Sequence, residues 1–93
     1  MDIQRKQEGS KGAFFIEENG KMLAQMTYVM SGVDKFIIDH TEVSDTLRGK
    51  GAGKQMVESA VKYALENHFK IMPLCPFARA VFDKTPEFRD ILF

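Results

Sequence analysis

The sequence is short of cysteine, net charge and long apolar runs. One cysteine among 93 residues excludes an internal disulfide, which favours a reducing, cytoplasmic compartment. Its first residues contain no apolar segment of a secretory signal, and no run approaches the roughly 18 apolar residues of a membrane span. Thirteen basic residues balance thirteen acidic ones. We therefore expect neither a membrane protein nor a general nucleic-acid binder, which is usually basic.

The composition is that of one folded domain. The chain is 44% hydrophobic and 28% charged, as in globular proteins rather than disordered tails. At this length it can enclose one core. We expect a single domain that spans residues 1–93.

The first half of the sequence predicts antiparallel strands. Asn19-Gly20 is a strong hairpin signal, because both central residues of a type I′ turn need positive φ. On the last strand of this half, the alternation of apolar and polar residues places His40 on the same face as Phe36 and Ile38. The predicted strands cover residues 3–7, 13–18, 21–30 and 35–43.

The second half predicts a helix, a strand and a second helix. Apolar residues recur at helical spacing from Val57 to Leu65, within a helix over 51–67. A short strand over 69–74 follows, and Pro76 opens the next helix with Cys75 as its N-cap. Strand, helix and strand form a βαβ unit, whose two strands are parallel. We therefore predict an α+β fold, close to a three-layer α/β arrangement, with a mixed and mostly antiparallel sheet and one parallel crossover.

A glycine-rich turn connects the strand that ends at Val43 to the first helix. Bare backbone N–H groups at a helix N-terminus, flanked by basic side chains, form an anion site. The turn is no P-loop, because Arg48 and Gln55 stand where that motif needs Gly and Ser or Thr. A tight connection without a ligand is the alternative interpretation.

The pattern Arg48-x-x-Gly51-x-Gly53 on a strand–turn–helix resembles the acyl-coenzyme A loop of the GNAT superfamily of N-acetyltransferases. His40-Thr41-Glu42-Val43 before the loop and Cys75-Pro76-Phe77 after the next strand resemble its small, single-domain subfamily. The resemblance extends over nearly the whole chain and implies an abbreviated GNAT fold. It also implies acetyl-coenzyme A or coenzyme A as co-substrate, and no metal ion.

The resemblance further implies roles for individual residues. Val43 would bond the pantetheine arm of coenzyme A through its backbone. The pyrophosphate would lie in a cradle formed by Arg48, Gly49, Lys50, Gly51, Ala52, Gly53 and Lys54.

His40 and Cys75 are the candidate catalytic residues. Histidine titrates near neutral pH and can act as a general base or orient an amine, and a helix N-terminus favours the thiolate form of a cysteine. Because the two parallel strands end at the same edge, we expect the two side chains to face each other across the acyl group. Each also has a structural interpretation, as a partly buried histidine and a small buried hydrophobe. Glu42 is a further candidate base.

The implied activity is acetyl-coenzyme A-dependent N-acetylation of a primary amine on a protein, peptide or small molecule. The amine attacks the thioester directly with help from His40, or Cys75 takes the acetyl group first. The sequence leaves both routes open.

Two departures from the family pattern leave a second function open. Phe77 stands near the place where full-size members often have a proton-donating tyrosine, and only residues 8–12 replace the helices that wall the acceptor site. A non-catalytic coenzyme A-binding or regulatory module is therefore an alternative. A weaker one is an RNA- or phosphate-binding module that uses Arg48, Lys50 and Lys54.

Overall fold

A computed structural model describes residues 2–93. Every predicted element is present, with ends that differ by one or two residues. The strands are β1 (Gln4–Glu8), β2 (Lys11–Glu18), β3 (Lys21–Met30), β4 (Lys35–Val43) and β5 (Lys70–Pro73). The helices are α1 (Ala52–Asn67) and α2 (Pro76–Lys84), with 3₁₀ turns at Asp45–Leu47 and Pro86–Ile91. Within the described residues, no helix is both long and apolar enough to cross a membrane.

The five strands form one sheet in the order β1-β2-β3-β4-β5. The first four strands are antiparallel, whereas β5 lies parallel to β4 after the crossover through α1. The predicted mixed sheet is therefore confirmed. Asn19 and Gly20 have φ angles of 53° and 78°, the positive values that a type I′ hairpin requires.

Helix α1 covers one face of the sheet and forms the core with it. Its buried row is centred on Met56, Ala60 and Ala64, all fully buried. Leu65 lies at the margin of that row and is 59% exposed, so its predicted place in the apolar stripe was wrong. The sheet residues that contribute to this core include Phe14, Ile16, Met26, Tyr28, Phe36, Ile38 and Ile71.

Strand β4 carries a β-bulge at Asp39. Tyr28 of β3 pairs with Ile38, but the preceding residue, Thr27, pairs with His40. Asp39 is the extra residue between these pairs. One extra residue inverts the alternation of side chains along the rest of a strand.

The bulge moves His40 to the other face of the sheet. Phe36 and Ile38 are buried towards α1, whereas His40, beyond the bulge, points to the opposite, open face. Thr41 takes the position that faces α1, since it pairs with the fully buried Met26 and cross-strand partners share a face. The predicted common face for His40, Phe36 and Ile38 was wrong because strict alternation allows for no bulge.

Strands β4 and β5 separate after four residue pairs. The last pair joins Ile38 to Pro73. The N–H groups of Leu74 and Cys75 then both donate to the Ile38 carbonyl, at 3.0 and 3.1 Å, and the chain enters α2 at Pro76. The rest of β4 has β3 on one side and an opening on the other, which we call the fork.

The ring of Tyr28 lies over Gly12 of β2, and a side chain at residue 12 would not fit beneath it. A Cβ on Gly12 would lie 2.5 Å from the Tyr28 hydroxyl and 2.8 Å from the carbonyl oxygen of Lys6. The buried Tyr28 hydroxyl accepts a hydrogen bond from Arg5 and donates one to Gln7, both at 2.8 Å. These bonds fix the ring over Gly12.

Gly12→Ala should therefore lower the free energy of unfolding by about 1–3 kcal/mol, the usual effect of overpacking. Urea denaturation of the variant measures this loss, with Ser10→Ala in the exposed turn as the control. A Gly12→Ala protein within about 0.5 kcal/mol of the wild type would show that the ring moves aside at little cost.

Burial of Tyr28 makes the stability of the protein depend on pH in the alkaline range. Burial raises the pKa of the Tyr28 phenol above its ordinary 10.0, against the opposing effect of Arg5. The folded state therefore favours the neutral phenol more than the unfolded chain does. The resulting stabilisation is complete below pH 10 and is lost as the pH rises through the raised pKa.

Tyr28→Phe should reduce the loss of unfolding free energy on the alkaline side of pH 10, because phenylalanine does not titrate. Urea denaturation on both sides of that pH measures the difference. Tyr63→Phe, at the other tyrosine of the chain, is the control and should keep most of the wild-type loss, because Tyr63 is the smallest contributor to the raised pKa of Tyr28. An equal loss in all three proteins would contradict the role of Tyr28.

Candidate functional site

The glycine turn presents bare backbone at the start of α1. Gly49 and Gly51 have φ angles of 79° and 72°, in the left-handed region that favours glycine. Apart from the glycine itself and its two chain neighbours, no atom of residues 2–93 lies within 4 Å of the place where a Cβ would stand on either residue. Gly51 is the N-cap of α1, and the first N–H groups of a helix have no carbonyl partner within it. The turn therefore directs backbone donors into open space at the positive end of the helix dipole.

Some backbone donors of the turn are already paired. The N–H of Arg48 donates to the carbonyl of Asp45, and that of Lys50 donates to the carbonyl of Leu47, both at 3.1 Å. A bound anion would therefore meet the amides of Gly49, of Gly51 and of the first turn of α1. Arg48 and Lys50 could contribute through their side chains.

The charge around the turn is mostly basic. The side chains of Lys50 and Lys54 are exposed, and the first turn of α1 contains no acidic residue. The guanidinium of Arg48 contacts the carboxylate of Asp45 at 2.8 Å, and both side chains are more than 80% exposed. Exposed ion pairs of this kind are weak, so a phosphate can compete for the guanidinium.

A cleft of about 460 Å³ lies between the turn, the end of β4 and α2. Its apolar wall includes Val43, Phe77 and Val81, and its basic residues include Arg48, Lys54 and Lys84.

Gly53 allows α2 to pack closely against α1. A Cβ on Gly53 would lie 2.6 Å from Cε2 of Phe77, and the Phe77 side chain remains partly exposed in the cleft wall. The resemblance to the acyl-coenzyme A loop implies a place for Gly53 in the phosphate cradle. Its contact with Phe77 is a role that the spacing did not predict.

Val43 directs its backbone groups into the fork. The next residue, Ser44, donates its N–H to the carbonyl of Leu23 at 2.7 Å. Successive residues of a strand direct their backbone groups to opposite sides. Because the N–H of Ser44 points to β3, the backbone N–H and C=O groups of Val43 and Thr41 point away from β3. An extended ligand in the fork could pair with them as a further strand would.

His40 lies outside the cleft, on the open face of the sheet. Its Nε2 atom is 2.8 Å from Oε1 of Glu42, and the two side chains are 62% and 75% exposed. Nearby, the hydroxyl of Thr27 donates to Asp39 at 2.5 Å. The side chains of His40, Glu42 and Asp39 thus form a solvent-accessible polar cluster on the side of β4 opposite α1.

Cys75 lies on the other side of β4, at the N-cap of α2. It is buried, and its thiol donates to the hydroxyl of Thr41 at 3.2 Å. The expectation that Cys75 faces His40 was wrong, because the bulge at Asp39 gives that position to Thr41. Sequence reasoning did not find Thr41, since a threonine in a strand carries no signal without the register.

Comparison with known proteins identifies the family of this chain. Residues 13–91 match the family of GCN5-related N-acetyl-transferases. A GCN5-like protein from Staphylococcus aureus, solved by NMR in solution, is 35% identical over 97% of this chain and 87% of its own, with a TM-score of 0.74. The chain therefore belongs to the GCN5-related N-acetyltransferase (GNAT) family, as the sequence predicted.

More distant structures share the fold. The ribosomal-protein-alanine N-acetyltransferase of Brucella melitensis biovar Abortus 2308 is 18% identical, over 84% of this chain and 62% of its own, with a TM-score of 0.69. A predicted acetyltransferase from Clostridium acetobutylicum, solved with acetyl-CoA, is 22% identical, over 81% and 56%, with a TM-score of 0.64. A search of the curated proteins gave no significant match.

Gly51→Ala should weaken coenzyme A binding at least about tenfold, because a methyl group at the turn removes the close approach of a phosphate to the backbone. Isothermal titration calorimetry measures the affinity. Gly32→Ala is the matched control, since Gly32 has a φ of 73° and equally open space but lies in the turn between β3 and β4. Equal affinities in the two variants would contradict the cradle.

Proposed function

We propose that the protein transfers the acetyl group of acetyl-coenzyme A to a primary amine. The observation that carries this proposal is the fork between β4 and β5, which opens beside a glycine turn with unpaired backbone donors. Membership of the GNAT family supports it. The Clostridium protein, which shares this fold, was solved with acetyl-CoA, and this supports the choice of co-substrate.

Coenzyme A would bind along the cleft from the turn to the fork. Its pyrophosphate would accept hydrogen bonds from the amides of Gly49, Gly51 and the first turn of α1. Arg48, Lys50 and Lys54 would supply the balancing charge. The pantetheine arm would then pair with the backbone of Val43, and the thioester would enter the fork.

The acceptor amine would approach from the open face of the sheet, where His40 and Glu42 lie. The amine nitrogen attacks the thioester carbonyl, the carbon–sulfur bond breaks, and coenzyme A leaves as a thiolate. His40 would remove the proton that the amine loses, and Glu42 would hold the imidazole in place through the contact at 2.8 Å. The thiolate would finally take up a proton to give coenzyme A.

Cys75 offers a two-step route from the other side of β4. Its sulfur would bond to the acetyl carbon as coenzyme A leaves, and the thiol proton would pass to the leaving sulfur. The amine would then attack the acetyl-cysteine and restore the thiol. A cytoplasmic, reducing compartment, which we also propose, would keep this single cysteine reduced.

The open face places few limits on acceptor size. Only a two-residue turn, residues 9–10, connects β1 to β2. We therefore propose that a protein or peptide amine can reach the site as readily as a small molecule.

Incubation with acetyl-coenzyme A followed by acid quench and mass spectrometry tests both routes. The two-step route predicts an acetyl adduct that is absent in Cys75→Ser and disappears when an accepted amine is added. Direct transfer predicts an acetylated amine without the adduct, together with a large loss of rate in His40→Gln, which retains hydrogen bonding but cannot serve as the base.

Binding of coenzyme A without transfer to any of a broad panel of amines and peptides would contradict the enzyme and favour the regulatory module. RNA that displaces coenzyme A from the turn would favour the third alternative. His68→Gln is the control for the histidine variant, because His68 is exposed at the far end of α1.

A further inference from the structure

The cleft has basic residues on two of its walls. Arg48 and Lys54 belong to the turn and to the start of α1, whereas Lys84 belongs to α2. Among residues 2–93, no acidic side chain lines the cleft. A pyrophosphate held by the bare amides of the turn would leave the charge of Lys84, on the α2 wall, uncompensated.

The cleft-lining face of α2 changes from apolar to basic along the helix. It carries Phe77, Val81 and Lys84, whose spacing of i, i+4 and i+7 places them on one side of a helix. Phe77 follows the N-cap Cys75 closely, at the fork, and Lys84 is the last residue of α2. At about 1.5 Å per residue, Lys84 lies roughly 10 Å along the helix axis from Phe77. The basic end of this face is therefore the end remote from the fork.

The ammonium group of Lys84 is available to an anion. Its side chain is exposed, and within residues 2–93 it takes part in none of the ion pairs. The neighbouring carboxylate of Asp83 lies 3.6 Å from Nε of Arg79, which offsets its charge. Lysine is also a compact charge on a flexible stem, so the ammonium can move to meet a ligand in the cleft.

Coenzyme A carries two separate anionic groups, the pyrophosphate and the phosphate on the 3′ oxygen of its ribose. We propose that Lys84 binds the 3′-phosphate, and that the cleft thereby prefers coenzyme A to its 3′-dephospho form. This inference rests on the proposed function, because it takes the pyrophosphate to lie at the turn. It gives the two walls different parts of the same ligand.

The chemistry of a phosphate monoester fits a lone lysine. Such a group carries a charge of about −1.5 to −2 at pH 7, and an ammonium forms charge-assisted hydrogen bonds with it. Water and salt screen the contact because Lys84 is exposed. We therefore expect the 3′-phosphate to strengthen binding about fivefold, which is enough to set a preference.

Isothermal titration calorimetry with coenzyme A and with 3′-dephospho-coenzyme A tests the proposal, because the two ligands differ only in this phosphate. The wild type should bind coenzyme A about fivefold more tightly. Lys84→Gln removes the charge and keeps a polar side chain. It should weaken the binding of coenzyme A alone, so that the preference is lost. Lys84→Arg keeps the charge and should keep the preference.

Lys62→Gln is the matched control, since it removes the same charge from the protein at another place. Lys62 is exposed on α1, beside Ile3 and Tyr63 and outside the cleft. This variant should keep the wild-type preference for coenzyme A. Raised salt should reduce that preference in the wild type and should have none to reduce in Lys84→Gln.

Equal binding of the two ligands by the wild type would overturn the 3′-phosphate site. An undiminished preference in Lys84→Gln, or one lost to the same extent in Lys62→Gln, would overturn the role of Lys84. Each of these results leaves the proposed function standing, because coenzyme A still binds. If the wild type binds neither ligand, the proposed function fails and this inference fails with it.

Discussion

The site depends on the early separation of β4 and β5. Only four residue pairs join the two strands, and the pairing ends at Pro73, which has no N–H to extend it. Just beyond β5, the carbonyl of Ile38 accepts hydrogen bonds from the N–H groups of both Leu74 and Cys75. From that point the free edge of β4 faces open space, and its unpaired backbone groups can bind an extended ligand. Cys75 and the start of α2 lie at the fork for the same reason.

The bulge at Asp39 divides the chemistry between the two faces of β4. Thr41 and Cys75 lie towards α1, on the side of the cleft, and His40 with Glu42 lies on the open side. A thioester and an amine could therefore enter the fork from opposite directions and meet there. The glycine turn and Val43 line the same cleft, so one ligand in that cleft could contact both the turn and the end of β4.

Local sequence signals predicted most of the fold. The Asn19-Gly20 hairpin, the apolar row of α1 and the parallel crossover follow from turn chemistry, from helical spacing and from the short βαβ connection. The glycine turn was found because three closely spaced glycines at the start of a predicted helix leave bare backbone at its N-terminus.

The finer arrangement of the site could not be predicted in this way. The bulge depends on how β4 pairs with β3, a non-local property, and the face of His40 was therefore wrong. The contacts of Thr41 with Cys75 and of Gly53 with Phe77 join elements that are distant in sequence. Their residue types are common in strands and helices, so only the three-dimensional structure shows these contacts.

An NMR titration of the ¹⁵N-labelled protein with acetyl-coenzyme A tests the central claim most directly. Binding along the cleft predicts saturable shifts of the amides of Val43, Gly49 and Gly51, and of the first turn of α1, while the hairpin at Asn19 stays unchanged. Acetyl-coenzyme A that leaves the turn and the end of β4 unperturbed would contradict the account, whether it binds elsewhere or not at all.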